Sequence, residues 1–206
     1  MPAQIGSTSV FLNCPFDPSC KNIFTAIVFC VLDAGFIPRC ALERDDSTEI
    51  RVNKVCEIIA QCQYGIHDIS YVQLDPGTGL PRFNMPLELG IFLGCKRFGG
   101  EEHSGKRSLI LDAEQYRYQR FISDIAGQDI HSHDAMPEQA IHRVRDWLRT
   151  ESGQNIPGGV EIGTRYARFQ EDLPRICEQF KLPPDGLAYA DFVYCAKYWL
   201  ELYPSR

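Results

Sequence analysis

The sequence predicts an α/β protein in which a doubly wound parallel sheet of four to five strands is followed by a C-terminal helical extension. Through about residue 150, short runs of apolar and β-branched residues alternate with stretches of apolar residues at helical spacing. This alternation is typical of parallel strands joined by crossover helices. We therefore divide the chain into an α/β domain, residues 1–150, and a helical extension packed on it, residues 151–206.

Four apolar runs are predicted to be strands of this sheet. Residues 8–14, TSVFLNC, are apolar and partly β-branched, and they stop at Pro15. Residues 36–42, 64–70 and 107–112 have a similar character, and the last two end in polar residues. The arrangement predicts a flavodoxin-like sheet, and sheets of this kind bind ligands beyond the carboxyl ends of their strands.

The segments between and after these strands are predicted to be helices. The helix over residues 20–35 ends at Gly35, and the helix over residues 85–99 has Pro86 near its first turn, where proline is tolerated. Residues 113–130 are mixed and are predicted to be helical before they turn at Gly127. Further helices are predicted over residues 47–62 and 136–152, with two or three more within residues 165–204.

Composition restricts the classes of function. The chain has 206 residues and a formal net charge of −6, whereas a protein that binds nucleic acid through its phosphates needs a basic footprint. We therefore expect no nucleic-acid partner. The longest apolar stretch is broken by Asp33, and the N-terminal residues lack the pattern of a signal peptide. We expect no membrane association and a cytoplasmic location.

The nine cysteines are odd in number and contain no C-x-x-C pair. In a cytoplasmic chain they are expected to be reduced, and most of them to be buried as small hydrophobic side chains. The missing paired spacing argues against a structural zinc site, and no metal or other cofactor is expected. HSHD, residues 131–134, is interpreted as a surface turn, and GEEHSGKR, residues 100–107, as a loop that precedes a strand and binds no phosphate.

Polar residues gather near the ends of the predicted strands. Arg82 and Asn84 lie in the loop that leads to the third long helix, where an arginine can grip a phosphate. Some of these residues also have a structural alternative. Arg44 and Asp46 could belong to a solvated loop, and Asp129 could lie at a capped helix end. The predicted substrate-binding residues are Asn13, Phe16, Asp17, Arg44, Asp46, Ser70, Arg82, Asn84 and Asp129.

Two carboxylates, Asp68 and Glu88, are the candidate catalytic residues. Glu88 lies among apolar residues in FNMPLELGIFLG, residues 83–94, and Asp68 closes the third predicted strand. On this topology both would face one crevice. Chemistry at an N-glycosidic bond uses one carboxylate to stabilise or trap positive charge at the anomeric carbon and another to orient the sugar or handle a proton. The ordinary alternatives are a solvated glutamate at a helix start and an aspartate that caps a turn.

Three motifs resemble those of a known family in order and approximate spacing. VFLNCPFD resembles the opening strand and loop of nucleoside 2-deoxyribosyltransferases, GIHDIS their third strand, and MPLELGIFLG their helix with a nucleophilic glutamate. The arrangement is also similar to that of TIR domains that cleave NAD. The resemblance covers about residues 8–115. It implies Glu88 as nucleophile or oxocarbenium stabiliser, Asp68 as a contact to the sugar or base, and Asn13 and Phe16 against the nucleoside.

The residues and the resemblance favour an enzyme that cleaves or transfers the N-glycosidic bond of a nucleoside, nucleotide or NAD-like substrate. The choice between hydrolysis and transfer stays open, because the loop before Glu88 carries the insertion PRFNM relative to the transferase pattern. The alternative is a non-catalytic nucleotide-sensing or protein-interaction module of the TIR-like type, which the resemblance places in bacterial defence or signalling. The aromatic C-terminal segment is expected to pack on the domain or on a second copy of the chain in a homo-oligomer.

Overall fold

The computed structural model describes residues 5–74 and 77–204 and confirms the predicted α/β architecture. Its strands are β1 (Gly6–Asn13), β2 (Ile37–Arg39), β3 (Cys62–Asp68), β4 (Arg107–Asp112) and β5 (Ile130–Ser132). They form one parallel sheet in the order β2-β1-β3-β4-β5. This is a flavodoxin-like order, in which the strand sequence reverses between β1 and β3.

The α-helices cover both faces of the sheet. They are α1 (Lys21–Asp33), α2 (Arg51–Gln61), α3 (Asn84–Phe98), α4 (Glu101–Ser104), α5 (Pro137–Ser152), α6 (Gly159–Phe180) and α7 (Tyr189–Leu202). The buried residues of α1 and α5 share one core with α6 and α7, whereas α2 and α3 pack on the opposite face. The predicted C-terminal helical extension is therefore the pair α6 and α7.

Side chains of β1 alternate between the two faces, as the period of a strand requires. Val10 and Leu12 join the core that contains α1, α5, α6 and α7. In that core the ring of Phe29 stacks on Phe169 of α6, with ring centroids 5.1 Å apart. The extension is thus continuous with the core of the α/β domain, and Phe169 is fully buried in it.

Phe11 of β1 packs on the opposite face, against α2 and Phe92 of α3. Its register partner in β3 is Gly65, which has no side chain to obstruct the helix. A Cβ atom at Gly65 would lie 2.7 Å from the ring of Phe92. Glycine at this position therefore allows α3, the helix that carries Glu88, to approach the sheet closely.

A buried ion pair attaches the extension to the domain. The Arg165 guanidinium of α6 donates hydrogen bonds to both carboxylate oxygens of Asp33, at 2.9 and 3.1 Å, and to the carbonyl of Tyr203 at 2.7 Å. The arginine also lies over the ring of Trp199, 5.2 Å from its centroid. One side chain therefore links the end of α1 to both helices of the extension.

The structure differs from the sequence-based elements in several places. The predicted loop GEEHSGKR contains the one-turn helix α4, Glu101–Ser104. The segment over residues 113–130 contains two 3-10 helices, Arg117–Arg120 and Ser123–Ile125, where a longer helix was predicted. HSHD is not simply a surface turn, since its first two residues end β5 and its second histidine is 2 % exposed. A three-residue strand is too short to show a period in the sequence, which explains why β5 was missed.

Two further observations concern membrane-spanning helices and the state of the cysteines. None of the helices within the described ranges combines the length and the apolar character that crossing a membrane requires. All nine cysteines are free thiols, and Cys56 on α2 is exposed. The buried thiols are Cys14, Cys30, Cys40, Cys62, Cys177 and Cys195, whereas Cys20 and Cys95 are partly exposed.

Candidate functional site

A groove lies at the reversal point of the sheet, beside the carboxyl end of β1. It consists of two clefts of about 260 and 190 Å³ that share Arg51 and Asn84 in their walls. We call the pair the switch-point groove. Its first cleft lies between the loop after β1 and the start of α3, and its second lies between α2 and α3. The described residues that line it are Pro15, Phe16, Asp17, Pro18, Arg51, Val52, Val55, Tyr71, Arg82, Asn84, Met85, Leu87, Glu88 and Ile91.

Glu88 faces this groove from the second turn of α3 and is 7 % exposed. Burial raises the pKa of its carboxyl group, and the positive charge of Arg51 offsets part of that rise. Among the described residues, no hydrogen bond or ion pair holds the carboxylate. A desolvated anion without a fixed partner is suited to stabilise a positive charge that develops within the groove.

Cationic and aromatic side chains line the first cleft. Arg82 pairs with Asp17 at 3.2 Å, and the Arg82 side chain is 54 % exposed. Arg51 at the start of α2 supplies a second guanidinium that both clefts share. Phe16 and Tyr71 add apolar ring surface. Guanidinium groups next to aromatic rings are a suitable environment for a phosphate and a flat base.

Asn13 lies outside the described lining of the groove and binds the start of α3. Its side chain is fully buried, and Nδ2 donates to the carbonyl of Met85 at 2.8 Å and to Nδ1 of His67 at 3.1 Å. His67 therefore carries its proton on Nε2. Its ring lies edge-on between Phe11 and Phe92. The polar ends of β1 and β3 thus fix the first turn of α3, which precedes the turn that carries Glu88.

Asp68 lies in a second, buried group of polar residues. It is 1 % exposed, and its Oδ1 accepts the Ser70 amide at 2.9 Å and lies 3.4 Å from Nε2 of His133. Asp112 at the end of β4 accepts from the Arg117 guanidinium, which also donates to the carbonyl of Ser70. These contacts link the carboxyl ends of β3, β4 and β5. We call this group of Asp68, Asp112, Arg117 and His133 the aspartate cluster.

Strained backbone places both basic members of the aspartate cluster. Tyr116, which precedes Arg117, has φ of 62°, and Asp134 and Ala135 after His133 have φ of 52° and 54°. The Met136 amide closes that turn on the carbonyl of His133 at 2.8 Å. The Ala135 amide donates to Nδ1 of His133 at 3.1 Å, so His133 presents a protonated Nε2 to Asp68.

The structure brings some predicted site residues together and separates others. The switch-point groove contains Glu88, Phe16, Asp17, Arg82 and Asn84. Ser70 and Asp68 belong to the buried contacts around the aspartate cluster, and within the described lining of the groove neither is present.

The remaining predicted substrate-binding residues lie outside the described lining of the groove. Arg44 pairs with Glu49 and Glu57, both at 3.0 Å. Asp46 accepts from the amide and hydroxyl of Thr48, and these hydrogen bonds lower the pKa of its exposed carboxyl. Asp129 is exposed next to β5.

Sequence reasoning missed Arg51 and Tyr71 in the groove and three members of the aspartate cluster. Asp112 ends a predicted strand as Asp68 does, so the repeated strand–aspartate ending was an available signal. Arg117 and His133 reach the cluster through strained turns, and no local pattern reveals such turns. Throughout residues 5–74 and 77–204, no three His, Cys, Asp or Glu side chains are grouped as metal ligands would be.

Comparison of the chain with protein-family models, with curated proteins and with solved structures finds no match.

Proposed function

We propose that the protein cleaves or transfers the N-glycosidic bond of a nucleoside, nucleotide or NAD-like substrate, with Glu88 as the catalytic carboxylate. The observation that supports this most is the environment of Glu88. It is a buried carboxylate without a fixed partner among the described residues, and it lines an open groove at the reversal point of a parallel sheet. A carboxylate with only a structural role would be paired or solvated.

In the proposed reaction the bond between the anomeric carbon and the base nitrogen breaks, and its electron pair leaves with the base. Glu88 stabilises the oxocarbenium-like charge on the sugar or forms a bond to the anomeric carbon. Water or a second base then attacks that carbon. Because the carboxylate is desolvated, its attraction to a developing positive charge is stronger than it would be in water.

Other groove residues have roles that follow from their chemistry. Arg51 and Arg82 would bind the phosphate of a nucleotide, and Phe16 and Tyr71 would lie against the base. Arg51 also attracts the Glu88 carboxylate, so it helps to keep that group ionised. Substrates of this class are cytoplasmic metabolites, and we assign the protein to that compartment.

Asp68 has a supporting role in this proposal. Its carboxylate is 1 % exposed and bonded within the aspartate cluster. The next residue back along β3, His67, is bonded to Asn13, which holds α3 through the Met85 carbonyl. A direct contact between Asp68 and the sugar remains a prediction of the sequence.

The test is release of free base. Purified protein would be incubated with deoxynucleosides, nucleoside monophosphates and NAD, and free base would be followed by chromatography. We expect release by the wild type and a loss of at least about a hundredfold in Glu88→Gln, because a single transition-state-stabilising group contributes about that much. Release should also decrease on acidification, since a raised pKa means that protonation inactivates Glu88 at a higher pH than an ordinary glutamate.

Matched variants make the test specific. Glu57→Gln removes an exposed carboxylate of α2 that lies outside the described lining of the groove, and it should leave the rate unchanged. Arg51→Gln should reduce turnover of phosphate-bearing substrates more than that of nucleosides. Full activity of Glu88→Gln would contradict the proposed catalytic role. Nucleotide binding in the groove without base release from any substrate would favour the alternative, a nucleotide-sensing module.

A further inference from the structure

A second cavity lies between the α/β domain and the C-terminal extension. Its volume is about 310 Å³, and its walls come from the start of α1, from α6, from the start of α7 and from the segment that joins the two extension helices. We call it the extension cavity. Phe16 lines both this cavity and the switch-point groove, so the two spaces adjoin at one aromatic side chain.

Aromatic rings form much of the apolar wall of the extension cavity. Phe16 and Phe24 meet edge to face with centroids 5.1 Å apart, and Phe24 lies 6.0 Å from Tyr189. The Tyr189 hydroxyl donates to the Pro38 carbonyl at 2.9 Å, which fixes that ring. Phe192 adds a fourth ring to the lining. Fixed aromatic walls of this kind favour a planar aromatic ligand.

Polar side chains stand at the rim of the extension cavity. Lys21 and Asn22 come from the start of α1, and Gln170 comes from α6. Their side chains have no hydrogen-bond or ion-pair partner among the described residues. Lys21 is the only charged residue in the described lining. The cavity therefore offers one unneutralised cation and two amide groups beside aromatic walls.

We propose that the extension cavity is a second ligand site, distinct from the switch-point groove, that binds a planar aromatic molecule with one anionic group. The ring lies among Phe24, Tyr189 and Phe192, and the anionic group contacts Lys21. A volume of about 310 Å³ is at the lower end of the range for small-molecule pockets and suits a single ring system with one substituent. The extension thus has a recognition role as well as a structural one.

Binding can be measured by isothermal titration calorimetry on the full chain. Adenosine 5′-monophosphate, adenosine and indole-3-acetate are suitable probes, because they separate the contributions of the ring, the phosphate and the carboxylate. We expect at least one of the two anions to bind with Kd below about 1 mM and adenosine to bind more weakly. The tighter of the two anions identifies the natural class as a nucleotide or an aromatic acid.

Two variants locate the bound probe. Lys21→Gln should weaken binding by about tenfold, as expected for loss of one charge-assisted contact, and Leu187→Trp should abolish it by filling the cavity. Lys197→Gln on α7 and Val160→Trp on α6 are matched controls at exposed positions and should leave affinity unchanged. Thermal melts establish that each variant is folded.

Two results would overturn this assignment. One is that neither anion binds more tightly than about 1 mM. The other is binding that persists in Lys21→Gln and Leu187→Trp but is lost in Arg51→Gln, since the ligand would then occupy the switch-point groove. Either result would remove only the second site, because the groove function is tested separately by base release.

Discussion

Burial of the Glu88 carboxylate costs the folded protein stability at neutral pH. Because the pKa of Glu88 is raised in the folded state, the folded protein binds a proton more readily there than the unfolded chain does. The contribution of Glu88 to the free energy of unfolding is therefore greatest at acidic pH, where its carboxyl group is protonated. This contribution is lost as the pH rises through the raised pKa. At neutral pH the charged form is the less favourable one.

We expect Glu88→Gln to increase the free energy of unfolding at pH 7, because it removes the charge and keeps the shape of the side chain. The gain should shrink as the pH falls and the wild-type carboxyl becomes protonated. Urea denaturation at a series of pH values measures both effects. Glu171→Gln, at an exposed position of α6, is the control and should show no such pattern. An equal gain at all pH values would contradict an electrostatic origin.

For His67 we expect the opposite dependence of stability on pH. Burial lowers its pKa from 6.5 to about 3, so the unfolded chain binds a proton in this range that the folded protein does not. Stability contributed by neutral His67 is complete above about pH 6.5 and is lost as the pH falls towards 3, by up to about 1.4 kcal/mol per pH unit. His67→Gln should reduce this slope between about pH 6 and pH 4.

The control for this slope is His131→Gln, which removes an exposed histidine. Its pH dependence should match that of the wild type. If His67→Gln retained the full wild-type slope, the acid sensitivity would have to come from other groups.

The sequence identified individual site residues to different degrees. Glu88 stands out because a carboxylate inside an apolar helix face is unusual, and the structure places it in the groove. Arg51 and His133 did not stand out, because their positions depend on how α2 and the turn after β5 pack against distant strands. Arg44 and Asp46 were attractive by their place after a strand, yet in the structure they bond to their own loop and to α2.

At the level of elements, the turn after β5 carries more strain than its sequence suggests. Asp134 and Ala135 are consecutive non-glycine residues at positive φ, a conformation that costs roughly 1–2 kcal/mol per residue. The turn persists because His133 accepts the Ala135 amide on one ring nitrogen and faces Asp68 with the other. Strain held by such contacts is common near functional sites.

Ala135→Gly should relieve part of this strain and raise the free energy of unfolding by about 1 kcal/mol. Chemical denaturation measures the change. Ala167→Gly at an exposed position of α6 is the matched control, and there the same substitution should destabilise the protein by about 1 kcal/mol, since glycine is unfavourable within a helix. A loss of stability in Ala135→Gly would show that the left-handed turn is not strained.

Long helices and strands could be predicted from the sequence, whereas short ones could not. The helix that carries Glu88 was predicted over residues 85–99 and is observed at Asn84–Phe98, because Pro86 and Gly99 mark the ends of an apolar segment. The 3-10 helices after β4 and the short strand β5 lack enough residues for a period to appear. Their conformations are set by tertiary contacts, above all those of Arg117 and Tyr118.

For the whole molecule, the ion pair between Arg165 and Asp33 determines how firmly the extension is held. Burial raises the pKa of Asp33, and the hydrogen bonds and charge of Arg165 oppose that rise. A buried charge that loses its partner is costly. We expect Arg165→Met to destabilise the protein by about 3 kcal/mol or more, measured by urea denaturation.

A double variant separates pairing from packing. Asp33→Leu combined with Arg165→Met removes both charges and should recover most of the lost stability, because an apolar pair can replace a buried ion pair. If the double variant were as unstable as the sum of the single ones, the two side chains would act independently. Such a result would contradict the role of this pair as the link between α1 and the extension.

Because the thiols differ in exposure, a spectroscopic label can be attached selectively beside the switch-point groove. Cys56 is the exposed cysteine, and it follows Val55, which lines the second cleft beside Glu88. Burial raises the pKa of Cys20 and of Cys95, the two partly exposed thiols, and this keeps both less reactive. A maleimide fluorophore or nitroxide should therefore attach first at Cys56 in the native chain and report on ligand entry without prior removal of other cysteines.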